Sequence, residues 1–151
     1  DPLVIEYNAR FGDPETEVII PLLHGNGVNI YSMLYATATG TIKDFVMPAT
    51  LNAAALTICL AAEGYPDSPV TGETIAGLGD EYRDVTVFHG GTKIDSDGNI
   101  VSSGGRVLFV TGLGVNLEAA SAAANAAIGD GAIHFPGMQY RPDIAWRAQN
   151  P

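Results

Sequence analysis

The chain changes its hydrophobic rhythm several times along its 151 residues. It opens on "PLVIEYNAR", where apolar and polar positions alternate and a strand is expected from Leu3 to Arg10. "GDPE" then signals a helix start, with Asp13 as cap, Pro14 in the first helical position and Glu15 facing the positive end of the helix dipole. Val18, Ile19, Leu22 and Leu23 follow at core spacing, and Pro21 is expected to kink or end that helix. After the break His24-Gly25-Asn26-Gly27, a second helix is expected from Val28 to about Thr39, with Ile30, Met33 and Leu34 on one face. Residues 40–51, with Pro48, read as a connector, and the domain boundary is set there.

From Asn52 onward the pattern becomes one of short strands and glycine turns. "AALTICLAA" predicts a buried strand, and "EGYPDSPVTGETI" a loop ending in a short strand. "VTVFHGGTKI" and "RVLFVTGLG" read as strands flanking the hairpin "DSDGNIVSSGG". Asn116 is positioned to cap an alanine-rich helix that Gly129 terminates, and a last short strand is expected near Ile133. Frequent hairpins among alternating strands and helices give an α+β class.

Composition narrows the function. The chain is 46% hydrophobic and 16% charged, which is too apolar for disorder. The net charge of −10, with only seven scattered Lys and Arg, excludes the clustered basic surface that nucleic acid requires. No apolar run is long enough for a membrane span. The single cysteine, Cys59, forms no intramolecular disulfide and fits a reducing, cytoplasmic setting. The chain begins "DPLVIEY" with no leader pattern, as expected of the interior of a longer protein.

The candidate chemistry begins at the first strand. Residues i, i+2 and i+4 of a strand share a face, so Glu6, Asn8 and Arg10 would point together. The plain reading is a half-exposed strand with a polar outer face. The sharper one is a site. A carboxylate and an amide oxygen are hard ligands suited to Mg²⁺, and Arg10 offers a planar fork to an anion. Lys93 and Arg106 stand beside the glycines of "GGTK" and "SSGGR", where a backbone can approach a phosphate. Surface cations on a glycine-turned hairpin are the alternative.

"VIEYNARFGDPETE" resembles the C-terminal end of the ATP-grasp core in the phosphoribosylamine–glycine ligase family, with its Glu-x-Asn metal pair and Arg-Phe-Gly-Asp-Pro-Glu run. "AAEGYP", "VFHGGTK", "SSGGRVLFVTGLG" and "GMQYRPDIAWRA" resemble later landmarks of the same family, in order. Glu17, Gly90 and Ser103 depart from the residues usual there, which are Gln, Ala and Asn.

The resemblance implies residues 1–45 as the end of an ATP-grasp core and residues 46–151 as a small C-terminal domain, mainly antiparallel sheet with packed helices. It implies a ligase of de novo purine biosynthesis that uses ATP, glycine and 5-phosphoribosylamine, with Mg²⁺ or Mn²⁺ on Glu6 and Asn8. Substrate contacts would fall to Arg10, Asp13, Lys93 and Arg106. The clamp around the nucleotide would come from the N-terminal portion of the same enzyme, without which this chain is expected to be inactive. A non-catalytic binding or assembly module, or an ATP-grasp ligase for another acid and amine, are the competing readings.

Other signals are weaker. "DSDGN" begins like a calcium loop, but Arg106 stands at the twelfth position where Glu is needed. "GLGVNL" lacks the third glycine of a dinucleotide fingerprint. His24, His89 and His134 show no metal spacing, and Tyr140, Arg141, Asp143 and Arg147 read as a structural polar cluster.

Overall fold

The computed structural model describes residues 2–7 and 9–149, apart from the side chain of Gln149. The fold is α+β with antiparallel sheets. Its centre is a three-stranded sheet in the order β1 (Ala54–Ala61), β5 (Arg106–Gly114), β2 (Val85–His89). A two-stranded hairpin, β3 (Thr92–Ile94) with β4 (Ile100–Ser102), lies between β2 and β5 in sequence. Helices α1 (Thr16–Gly25), α2 (Ile30–Ala38), α3 (Leu117–Ala126) and α4 (Trp146–Gln149) complete the described elements, with a 3-10 turn at Ile42–Asp44.

The two faces of the sheet are chemically different because strand side chains alternate. Leu56, Ile58 and Leu60 of β1 sit opposite Gly112, Val110 and Leu108 of β5. With Ala120 and Ala124 of α3 they form the buried core. The other face carries Thr57, Cys59 and Ala61 beside Thr111, Phe109 and Arg106, and α1 packs on it.

α3 starts as its sequence requires: the Asn116 side chain accepts from the Ala119 amide at 2.8 Å. It ends at Ala126, capped by Ala127, two residues earlier than a stop at Gly129 would give. Gly129 instead closes the loop that brings Ile128 against Ile133, and only isolated bridges form there in place of a last strand. α2 likewise begins at Ile30, two residues later than expected, where the Asn29 side chain accepts from the Ser32 amide.

α1 departs from expectation twice. Asp13 does not cap it; Glu15 stands at the cap with no side-chain cap bond, and its carboxylate instead accepts from the Gly12 amide at 2.8 Å. Nor does Pro21 end it, since the helix runs on to Gly25 with Pro21 buried. A proline at position 21 leaves the carbonyl of Glu17 without its helical donor. The Thr111 hydroxyl of β5 donates to that carbonyl at 2.8 Å. Thr111 therefore has no proton left for its other partner, so Thr57 donates to Thr111 Oγ1. The sheet thus repairs the break in the helix. Thr111→Val removes the repair at nearly constant volume and should cost about 1–3 kcal/mol, measured by urea unfolding.

The expected first strand is not formed. The described residues of 2–10 belong to no sheet, and Leu3, Ile5 and Tyr7 are largely exposed. Alternation alone does not make a strand when no ladder partner is at hand.

Candidate functional site

Asp13 and Arg106, 93 residues apart, meet at the edge of the sheet face that α1 covers. Arg106 Nη1 donates to the Asp13 carbonyl at 2.9 Å and lies 3.3 Å from its carboxylate Oδ1. Both side chains keep about half their surface in solvent, so an added anion can reach the guanidinium. The "GDPE" turn and the "SSGGR" turn are thereby brought together.

The glycines around Arg106 and Lys93 serve the chain's own packing. A Cβ on Gly91 would lie 2.7 Å from the Gly104 Cα, and one on Gly105 would run into the Tyr65 ring. Gly91 donates to the Arg106 carbonyl at 2.7 Å and accepts from the Ser103 amide at 2.7 Å. Close approach is indeed why these positions are glycine, and what approaches is backbone and a tyrosine ring. Lys93, two residues beyond Gly91, lies exposed on β3 opposite Val101.

Of the opening cluster, Glu6 is exposed and Arg10 donates to the neighbouring Phe11 carbonyl at 3.0 Å. Asn8 lies outside the described residues. Among the described residues no three His, Cys, Asp or Glu side chains gather as a metal group. Asp95 of "DSDGN" spends its carboxylate on its own turn, accepting from the amides of Asn99 at 2.8 Å and Asp97 at 2.9 Å. These bonds, that from Asn99 foremost, hold its carboxyl below the ordinary value. Arg141 and Asp143 form an exposed two-point ion pair, as the plain reading of that cluster expects.

A cavity of about 400 Å³ beside the Asp13–Arg106 pair escaped the sequence reading. Cys59 and Ala61 lie on its floor, with Tyr65, Gln139, Tyr140 and Arg141 around it. The Gln139 backbone is fixed by two bonds to Ala61, each 2.8 Å. The available signal was the size contrast within β1, where Ala55, Thr57, Cys59 and Ala61 alternate with Leu56, Ile58 and Leu60. A face of small side chains leaves room that a face of leucines fills.

Burial pushes the Cys59 thiol up from 9.0 to about 11, and nearby Arg106 opposes the shift without cancelling it. At pH 8 the thiolate fraction should be about a hundredfold below that of a free cysteine. Maleimide labelling should be correspondingly slow and should accelerate on unfolding. The folded state prefers the neutral thiol, so this group's stabilising contribution is full below pH 9 and lost as the pH rises towards 11.

These elements and landmarks coincide with a known family. Residues 55–147 match the family "Phosphoribosylglycinamide synthetase, C domain", and the chain belongs to it. It is 44% identical over 148 residues to the phosphoribosylamine–glycine ligase of Caulobacter vibrioides, covering 97% of this chain and 34% of that protein. With the enzyme of the same name from Mycobacterium tuberculosis it shares 43% identity over 147 residues, covering 97% and 33%. The crystal structure of the Thermotoga maritima phosphoribosylamine–glycine ligase superposes with a TM-score of 0.71 at 36% identity, over 95% of this chain and 33% of that one. The chain spans about a third of the length of the relatives it matches. Among the described residues no helix is long and apolar enough to cross a membrane.

Proposed function

We propose that the chain supplies the C-terminal part of an ATP-dependent ligase that joins glycine to 5-phosphoribosylamine in purine biosynthesis. The supporting observation is that the likeness to the ligases runs over 97% of the chain, including the opening stretch that precedes the matched C domain.

In this reading the γ-phosphoryl group of ATP passes to a carboxylate oxygen of glycine, giving glycyl phosphate and ADP. The amine of phosphoribosylamine attacks the acyl carbon, the carbon–nitrogen bond forms, phosphate leaves and the amine gives up a proton. The product is glycinamide ribonucleotide. Such chemistry asks the protein chiefly to position anions and balance their charge.

Glu6 and Asn8 are the hard oxygen donors that Mg²⁺ or Mn²⁺ takes, and that cation would supply charge neutralisation at the nucleotide phosphates. Arg10 offers its guanidinium to a substrate carboxylate or phosphate. Asp13 and Arg106 form the half-exposed corner at which a ribose phosphate competes with the Asp13 carboxylate for the guanidinium, and Lys93 adds a second cation. Neither nucleic acid nor membrane has a part in this reading. The reaction belongs in the cytoplasm, where its nucleotide and amine substrates occur.

The test is complementation in trans. Mixing this chain with a polypeptide made of the preceding two-thirds of a ligase relative should produce ADP that depends on both glycine and phosphoribosylamine. ADP formation that ignores glycine, or that requires another amino acid, overturns the assignment.

A further inference from the structure

The cavity over Cys59 has walls that the fold itself holds in place. Tyr65 and Tyr140 line it, each with more than a third of its surface exposed. The Tyr65 ring lies so close over Gly105 that a Cβ there would run into it. Tyr140 follows Gln139, whose backbone is bonded twice to Ala61 of β1. Among the described residues the stacked ring pair is Tyr31 with Tyr35, so the two cavity tyrosines do not close on one another. Cys59 and Ala61 form the floor, with side chains too short to fill the space. A rigid slot with aromatic walls suits a flat ring, because ring faces gain from stacking and little ordering is left to do on binding.

Two polar groups define what that ring carries. Gln139 is exposed at the cavity, and its side-chain amide pairs a donor with an acceptor, as the N6 and N7 edge of adenine requires. Arg106 is the register partner of Ala61 on the floor. Among the described residues only its Nη1 is engaged, by Asp13, which leaves the Nε–Nη2 edge to take a phosphate with two bonds. We infer that the cavity binds a purine nucleoside monophosphate of the AMP kind, with adenine between Tyr65 and Tyr140 and the 5′-phosphate on Arg106. What this does to the enzyme rests on the ligase reading above. The nucleotide takes the corner that the ribose phosphate of phosphoribosylamine needs, so the two exclude one another and a purine nucleotide restrains the ligase. In that reading the clamp for ATP comes from the preceding portion of the enzyme, so AMP held by this chain alone is held elsewhere.

The experiment is calorimetric titration of this whole chain with AMP. The dissociation constant should be about 1 mM or tighter, as a stacked base and a charge-assisted phosphate contact together provide. Adenosine and UMP should each bind at least tenfold more weakly, and ribose 5-phosphate should displace AMP. Arg106→Gln should reduce AMP to the affinity of adenosine. Tyr140→Ala, and Ala61→Leu, which fills the floor, should each weaken AMP at least tenfold. Tyr31→Ala, at a 76% exposed ring on α2, should leave it unchanged. Circular dichroism should be unaltered, since none of these side chains belongs to the buried core. Should Ala61→Leu disturb the sheet, Tyr140→Ala carries the test. Bound AMP should also slow maleimide labelling of Cys59. No binding at several millimolar AMP, binding indifferent to Tyr140→Ala, UMP bound as well as AMP, or AMP that ribose 5-phosphate does not displace, overturns the inference. AMP binding as described, with no glycine-dependent ADP in the complementation mixture, counts against the ligase reading alone. Glycine-dependent ADP without AMP binding counts against the nucleotide slot alone.

Discussion

Gly112→Val should destabilise the chain by about 3 kcal/mol or more, enough to leave it poorly folded at 37 °C. The reason is position rather than backbone angle. A Cβ on Gly112 would run into the Ala120 carbonyl oxygen and lie 2.7 Å from the Ala124 amide of α3. Both atoms are backbone, so no rotamer change relieves the clash and the helix must lift from the sheet. Gly114, on the same face, would meet the Ala120 amide at 2.5 Å. Gly25→Ala is the control: its Cβ finds only the two methyls of Leu113, at an ordinary 3.8 and 4.0 Å, and the change should be neutral or slightly stabilising. Thermal unfolding of the two variants checks the ranking.

Glu6→Gln should lower the turnover of the complemented ligase on the order of a hundredfold. The substitution keeps the size and one oxygen of the side chain and removes the charge. Glu6 is exposed and outside the core, so the folded stability of the isolated chain should change by no more than about 0.5 kcal/mol. The loss should soften at raised Mn²⁺, because a weaker ligand set is filled by mass action. Steady-state rates at several metal concentrations give the readout, and unchanged turnover would remove Glu6 from the site.

The sequence made the sheet legible where its own chemistry was local. The apolar run of β1, the turn residues of "DSDGN" and the Asn116 cap each act within a few residues, and each is present in the structure. What it concealed depends on groups far apart in the chain. The alanines of α3 look like helix propensity alone, yet Ala120 and Ala124 are alanine because Gly112 lies beneath them. The same glycines, read as a weak nucleotide fingerprint, are a seat for that helix. Asp13 looks like a cap until Arg106 claims it, and Pro21 looks like a stop until Thr111 supplies the missing donor.

The candidate site divides similarly. Spacing alone singled out Glu6, Asn8 and Arg10, because period two is a property of the residues themselves. Whether they stand in a strand depends on a ladder partner that these residues do not contain. The cavity over Cys59 required the register of β1 against Gln139, which no spacing rule gives.

The Asn26 side-chain oxygen accepts from the Asn52 amide at 2.7 Å. The polypeptide therefore leaves the folded body at one point and comes back to it at the same point, carrying α2 on a detour pinned at its base. A pinned detour adds little closure entropy however long it grows, since that penalty rises only logarithmically with length. The stretch from 29 to 51 can thus be lengthened or trimmed at little cost in closure entropy, while Val28, buried at its root, stays fixed.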